Sequence, residues 1–350
     1  MCDELLDQPM PGHSFAPLTG RVDLFTIDSE LLKNRLEDPT CREITVHVSS
    51  EAINLMEQGH ELPAIIYLAP FTSSGPARAG WKAFSESLLQ RHERLVSTKE
   101  MPPCILVMPD TFTTLGGNQF VDSAVLGNWS TWLVEALKPA IMERYSCNGK
   151  FGLVGKSSGG YGAIFNALSK PGEWGAVASH SGDVGFEVMF MPTFAETLTH
   201  ISQYGSPADY VQSIRQANSM GSSDFHTLMI CAMAASYDPI DPTNANPLGI
   251  RLPVDLQSCQ LKEEAWANWL KFDPLILLES NFKNLKSLEV LFIDCGNKDQ
   301  YGIQYGSRRM NERLTELGVE HIWQEFEGTH SGIDYRLDIS LPLLSKSLSD

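Results

Sequence analysis

Apolar residues along the chain follow two rhythms, short continuous runs and stripes spaced by three or four positions. Val22-Asp23-Leu24-Phe25-Thr26 and Glu43-Ile44-Thr45-Val46-His47-Val48 read as strands, the second alternating as a half-exposed edge strand does. Ala64-Ile65-Ile66-Tyr67-Leu68 and Cys104-Ile105-Leu106-Val107-Met108 are continuous, the pattern of strands buried on both faces. Between them, Trp81, Phe84 and Leu88 are spaced for one helical stripe. Trp129, Leu133, Leu137 and Ile141 step by four and predict a helix over 129–144, with Pro139 expected to kink it. Strands follow at Lys150–Val154 and Ala176–His180, separated by a helix that carries Tyr161, Phe165 and Leu168 and stops at Pro171-Gly172.

From 184 to 285 this alternation breaks down. An irregular insertion of that length in a sheet protein reads as a lid or cap, and its Phe186, Met189 and Trp269 are candidates for setting substrate size. The alternation resumes with a strand at Leu288–Ile293, a helix marked by Met310, Leu314 and Leu317, and a strand at Ile322–Phe326. A final helix is expected to begin with Ser340 as N-cap and Pro342 in its first turn. Strands alternating with helices imply an α/β domain with a mainly parallel sheet, one domain over 1–350 with the cap inserted in it.

Composition narrows the function. With 26 basic and 43 acidic residues the formal charge is −17. Such a chain lacks the basic stripe that displaces counterions from nucleic acid. The acidic start, Met1-Cys2-Asp3-Glu4, has no basic and apolar leader, and no apolar run approaches the roughly 18–20 residues of a membrane span. Of the seven cysteines, even the closest pair, Cys231 and Cys259, is far beyond a C-x-x-C spacing. Buried thiols in a reducing, cytoplasmic setting are expected.

Gly155-Lys156-Ser157-Ser158-Gly159 is a G-x-S-x-G segment directly after a predicted strand and directly before a predicted helix. A nucleophilic serine needs that tight turn to stand clear of the sheet, and small residues on either side let the helix pass close to the neighbouring strands. A phosphate-binding G-x-x-x-x-G-K-S loop over the same residues would need glycine at position 150, which is Lys150. In α/β-hydrolases the partners of the serine follow in the order acid, then histidine. His330, in Gly328-Thr329-His330-Ser331-Gly332 after the last strand, is the base candidate. For the acid, Asp299 leads, with Asp294 at the end of the same strand and Asp183 after the preceding one as alternatives. The oxyanion hole needs two N–H donors. Ser158 supplies one. The loop after Leu68 supplies the other, and because Pro70 has no N–H, Phe71 is first choice and Thr72 second.

Leu68–Thr72, Met108–Gly117, the turn around Ser157, Ser179–Asp183, Asp294–Asp299 and Gly328–His330 together resemble the esterase D and enterochelin-esterase-like family of putative esterases, over about residues 20 to 345. The resemblance implies an α/β-hydrolase with nucleophile, acid and base at Ser157, Asp299 and His330. Where relatives often have His-Gly before the oxyanion residue, this chain has Ala69-Pro70. The expected activity is hydrolysis of a small-molecule carboxylic ester or thioester through an acyl-enzyme, with no cofactor and no metal. An acyltransferase on the same scaffold, or a non-catalytic binding protein of this fold, is the alternative.

Overall fold

The computed structural model describes residue 15 and residues 18–221 and 224–349. The acidic N-terminal segment, with Cys2 and His13, lies outside them. Ten strands are present among the described residues: β1 Arg21–Asp28, β2 Cys41–Val48, β3 Leu62–Leu68, β4 Ile105–Pro109, β5 Asp122–Ser123, β6 Gly127–Asn128, β7 Cys147–Lys156, β8 Ala176–His180, β9 Val290–Gly296 and β10 Ile322–Phe326. Eight form one sheet in the order β1-β2-β4-β3-β7-β8-β9-β10, while β5 and β6 make a separate two-stranded hairpin. β1–β2 and β2–β4 are antiparallel, and every pairing from β4 through β3 to β10 is parallel.

Burial follows the predicted rhythms except in β2, expected as a half-exposed edge strand: it pairs with β1 on one side and β4 on the other, and its residues from Ile44 to Val48 are all buried. Every residue of β3, β4 and β8 is buried, as continuous apolar runs require, whereas β1 and β10 at the two edges are half-exposed. On one face of the sheet, Leu88, Leu95, Leu341, Leu344 and Leu348 from the helices Leu88–Ser97 and Leu337–Ser349 pack against Ile65, Leu106, Val154 and Phe292. The other face carries the helix Ser158–Ser169 and the segment 129–144, together with a larger apolar cluster.

Three further local expectations are corrected. Trp81 and Phe84 do not share a helix with Leu88. A five-residue helix, Gly75–Ala79, ends before them, they stand 77% and 73% exposed, and the next helix starts at Leu88 behind the capping box of Ser87 and Gln90. Pro139 does not simply kink its helix. Trp129–Trp132 is α-helical, Leu133–Leu137 is a π-turn in which Lys138 N–H reaches back to Leu133 O, and Lys138–Arg144 is α-helical again. The widened turn comes directly before the proline, which has no N–H to give the ladder, and it still leaves Trp129, Leu133, Leu137 and Ile141 fully buried. The last helix begins at Leu337, so Ser340 is a buried interior residue and Pro342 lies inside the helix.

The stretch 184–285 carries the helices Phe186–Met189, Phe194–Ile201, Pro207–Gln216, Asp224–Tyr237, Glu263–Leu270 and Pro274–Leu285, with residues 238–262 irregular between the fourth and the fifth. The last of these lies against the helix Ser158–Ser169, and Asn281 and Asn284 Nδ2 both donate to Leu168 O, at 3.1 and 2.7 Å. It therefore flanks the sheet as the crossover from β8 to β9. No helix among the described residues is long and apolar enough to cross a membrane. Cys41, Cys104, Cys147, Cys231, Cys259 and Cys295 are free thiols.

Candidate active site

β7 delivers Ser157 at its carboxyl end, and the helix Ser158–Ser169 begins at the next residue. Ser157 has φ +56° and ψ −126°, a backbone conformation that L-residues rarely adopt. Its neighbours explain how the turn is sustained. A Cβ on Gly155 would lie 2.3 Å from the Gly159 carbonyl carbon, and one on Gly159 would lie 2.0 Å from the Leu68 carbonyl oxygen. Both glycines are thus required by close approach of backbone to backbone. Ser157 N–H donates to His180 O at 2.9 Å, tying the turn to β8.

β9 and β10 bring the second half of the site. Asp299 follows the end of β9 and His330 follows β10, and the two side chains meet with Nδ1 and Oδ2 2.7 Å apart. A carboxylate accepts and does not donate, so Nδ1 carries a hydrogen, and in the neutral imidazole Nε2 is then the acceptor. Three further contacts hold this pair. Tyr301 N–H donates to Asp299 Oδ1 at 2.9 Å, His330 N–H donates to Gln300 Oε1 at 3.0 Å, and the Tyr301 ring stands edge-on to the imidazole at 4.9 Å. Gln300 and Tyr301 were not singled out in the sequence. Their position directly after Asp299 was the available signal.

Asp294, the alternative acid, faces elsewhere. It is fully buried, with Oδ1 2.8 Å from His180 Nδ1 and Oδ2 accepting from Arg336 Nε at 2.7 Å. His180 Nε2 lies 2.8 Å from Ser340 Oγ, so both oxygens of Asp294 belong to a chain of groups sealed inside the molecule. Asp183, the third candidate, is 2% exposed and accepts from Gln119 Nε2 at 2.9 Å. Burial raises its carboxyl to about 6, opposed by the Gln119 hydrogen bond and by His330.

These elements surround a cavity of about 280 Å³. Ser157, Ser158, Phe71, His330 and Asp183 all line it, and Asp299 stands behind His330. Lys156, also in the wall, is lowered by burial, partly offset by Asp334. The remaining wall is mostly apolar. Met189, Phe225 and Met229 come from the stretch 184–285, and Phe225 packs edge-on against Phe71 at 5.5 Å. Phe186 and Trp269 are not among the lining residues. Both are fully buried in an aromatic cluster in which Tyr237 lies 5.1 Å from Phe186 and 5.6 Å from Trp269.

The oxyanion loop distinguishes its two candidates. Thr72 N–H donates to Gly116 O at 2.7 Å. Phe71 N–H makes no such bond among the described residues, so it is the loop N–H available beside Ser157.

A sheet of this order, with a strained serine turn at its centre and a carboxylate–histidine pair in the loops after the last two strands, defines an α/β-hydrolase. The sequence profile of the family described as Putative esterase matches residues 124–341, and the chain belongs to that family of ester hydrolases. Solved structures share the fold. A ferulic acid esterase aligns with a TM-score of 0.57 at 17% identity, over 95% of this chain and 100% of that one. The S-formylglutathione hydrolase of Agrobacterium tumefaciens gives 0.55 at 14%, over 95% and 97%. The fluorophosphonate-binding serine hydrolase F of Staphylococcus aureus gives 0.56 at 13%, over 93% and 98%. No curated protein matches the chain by sequence.

Proposed function

We propose that the chain hydrolyses a small carboxylic ester or thioester through an acyl-enzyme on Ser157. The observation that carries this reading is the meeting of His330 Nδ1 with Asp299 Oδ2 beside a cavity that Ser157 also lines. Ser157 Oγ attacks the ester carbonyl while His330 Nε2 takes its proton. Asp299 keeps the imidazole in the tautomer that leaves Nε2 free and stabilises the imidazolium. Phe71 and Ser158 N–H groups hold the oxyanion, helped by the N-terminus of the helix Ser158–Ser169. His330 then protonates the departing alcohol or thiol, and water attacks the acyl-enzyme with His330 again as base. The helices between residues 184 and 273 act as the cap, with Met189, Phe225 and Met229 shaping the acyl pocket.

A fluorophosphonate probe should label Ser157. Ser157→Ala should abolish labelling and lower turnover by on the order of 10⁴–10⁶. Retention of more than about a tenth of the activity would show that the nucleophile lies elsewhere.

A further inference from the structure

The cavity wall contains a carboxylate that the hydrolytic mechanism does not use. Asp183 sits in the loop after β8, 2% exposed, on the same cavity as Ser157 and His330. Its Oδ2 is held by Gln119 Nε2, and the same amide nitrogen lies 3.0 Å from Tyr237 Oη, which fixes the carboxylate plane. Its Oδ1 has no hydrogen-bond partner and almost no surface open to a water-sized probe, so a donor in the cavity reaches it only with a small shift of the side chains that cover it. The triad role is already filled by Asp299. A buried carboxylate oxygen left unpaired is costly, and a group that donates to it gains the whole of that cost back.

We propose that Asp183 recognises the substrate, its Oδ1 accepting a hydrogen bond from a hydroxyl or an ammonium group carried by the ester. This rests on the reading of the cavity as a serine esterase site. The charge environment fits a donor. Asp183 is faced by His330 and Asp299 from the triad loops, by Gln119, and by the phenols of Tyr161, Tyr237 and Tyr301. At neutral pH its carboxyl, at about 6, is mainly ionised and desolvated, the state that gains most from a donor. The overall charge of −17 also draws cations toward the molecule. The wall opposite is apolar at Met189, Phe225 and Met229, so the ester fitted here has an apolar body and one polar end.

The test uses the full-length protein and p-nitrophenyl esters whose acyl chains, of increasing length, end in a hydroxyl, an ammonium or a methyl group. Acetates of alcohols with the same three ends cover a donor on the leaving side. In the wild type, a donor-ended ester should exceed its methyl-ended counterpart in kcat/KM by about ten- to a hundredfold, the range for a hydrogen bond to a charged group. Asp183→Asn, which turns an N–H₂ toward the donor while keeping the Gln119 bond, should collapse that ratio toward unity. The wild-type ratio should also fall as pH drops through about 6, steeply for the ammonium esters and less for the hydroxyl esters. Any effect of pH on the shared hydrolytic step acts on both esters of a pair and cancels in the ratio, so this measurement decides the matter even if Asp183→Asn fails to fold. A wild type that never prefers donor-ended esters overturns the assignment, as does a preference that neither the variant nor pH alters. If methyl-ended esters are hydrolysed in a Ser157-dependent way without donor preference, only this inference fails. If hydrolysis survives in Ser157→Ala, the serine esterase reading fails with it.

Discussion

Asp294 and Asp299 flank one glycine-containing turn, yet their side chains serve different parts of the molecule. Asp294 belongs to β9, and the strand directs it under the sheet edge to His180 and Arg336. Asp299 lies past the Gly296 turn and reaches His330. Ser340, His180 and Asp294 thus form a second serine–histidine–aspartate chain, but all three are buried and none of them lines the cavity. Asp299→Asn should hold the imidazole in the wrong tautomer and cost roughly 10³–10⁴ in turnover, with an unchanged circular dichroism spectrum. Asp294→Asn should leave turnover near wild type and lower stability, by up to about 3–5 kcal/mol as for a broken buried ion pair. Denaturant unfolding and steady-state rates on both variants separate the roles, and a collapse of turnover confined to Asp294→Asn would reverse them.

At the scale of elements, the helix Asp224–Tyr237 shows how one segment serves two functions. Its residues from Thr227 to Tyr237 are all buried. Met229 lines the cavity, whereas Tyr237 packs into the aromatic cluster with Phe186 and Trp269. Substitutions should divide accordingly. Met229→Ala is expected to shift the preferred acyl-chain length upward, with a smaller effect on acetate esters, because it opens space where the chain would lie. Trp269→Ala should instead destabilise by about 3–5 kcal/mol, as loss of a large buried aromatic does, and change all substrates alike. A chain-length panel together with melting temperatures distinguishes the two. If Met229→Ala lowers every rate in parallel with its melting temperature, the pocket assignment for that helix is wrong.

For the whole molecule, acid stability is the property most open to test. His47 of β2 and His92 of the helix Leu88–Ser97 are fully buried, with their Nδ1 atoms 2.7 Å apart and His92 Nε2 3.4 Å from Cys104 Sγ. Burial, reinforced by its neighbour His47, holds His92 well below the ordinary 6.5. His92 is therefore neutral in the folded protein, while the unfolded chain takes up a proton below about 6.5. The stability it contributes is complete above that pH and lost progressively as pH falls below it. Asp183 acts in the opposite direction, since its raised carboxyl binds a proton more readily when folded. Urea unfolding of the wild type and His92→Gln at pH 7.5 and 5.5 isolates the histidine. The wild type should lose more stability between the two values than the variant does, and equal losses would refute the assignment.

The strands and the serine turn were legible in the sequence because local physics determines them. A continuous apolar run of five residues, such as Ala64–Leu68, can be satisfied only by burial on both faces, and G-x-S-x-G between such a run and a helical stripe admits one close-packed geometry. The order of Ser157, Asp299 and His330 along the chain was legible for the same reason, as each follows a predicted strand. What the sequence could not decide was which polar groups meet. Ser340 reads as an N-cap until His180 is placed beside it, and Trp81 and Phe84 read as a buried stripe until the helix ends before them. Phe186 and Trp269 read as pocket residues until Tyr237 packs between them. Asp183, at the end of Ser179–Asp183 after a predicted strand, is marked along the chain only as an alternative acid. The role proposed for it rests on Gln119, 64 residues away, taking one of its oxygens and leaving the other without a partner. Such pairings are long-range, set by how β7, β8 and β9 lie side by side, and only the tertiary structure brings them together.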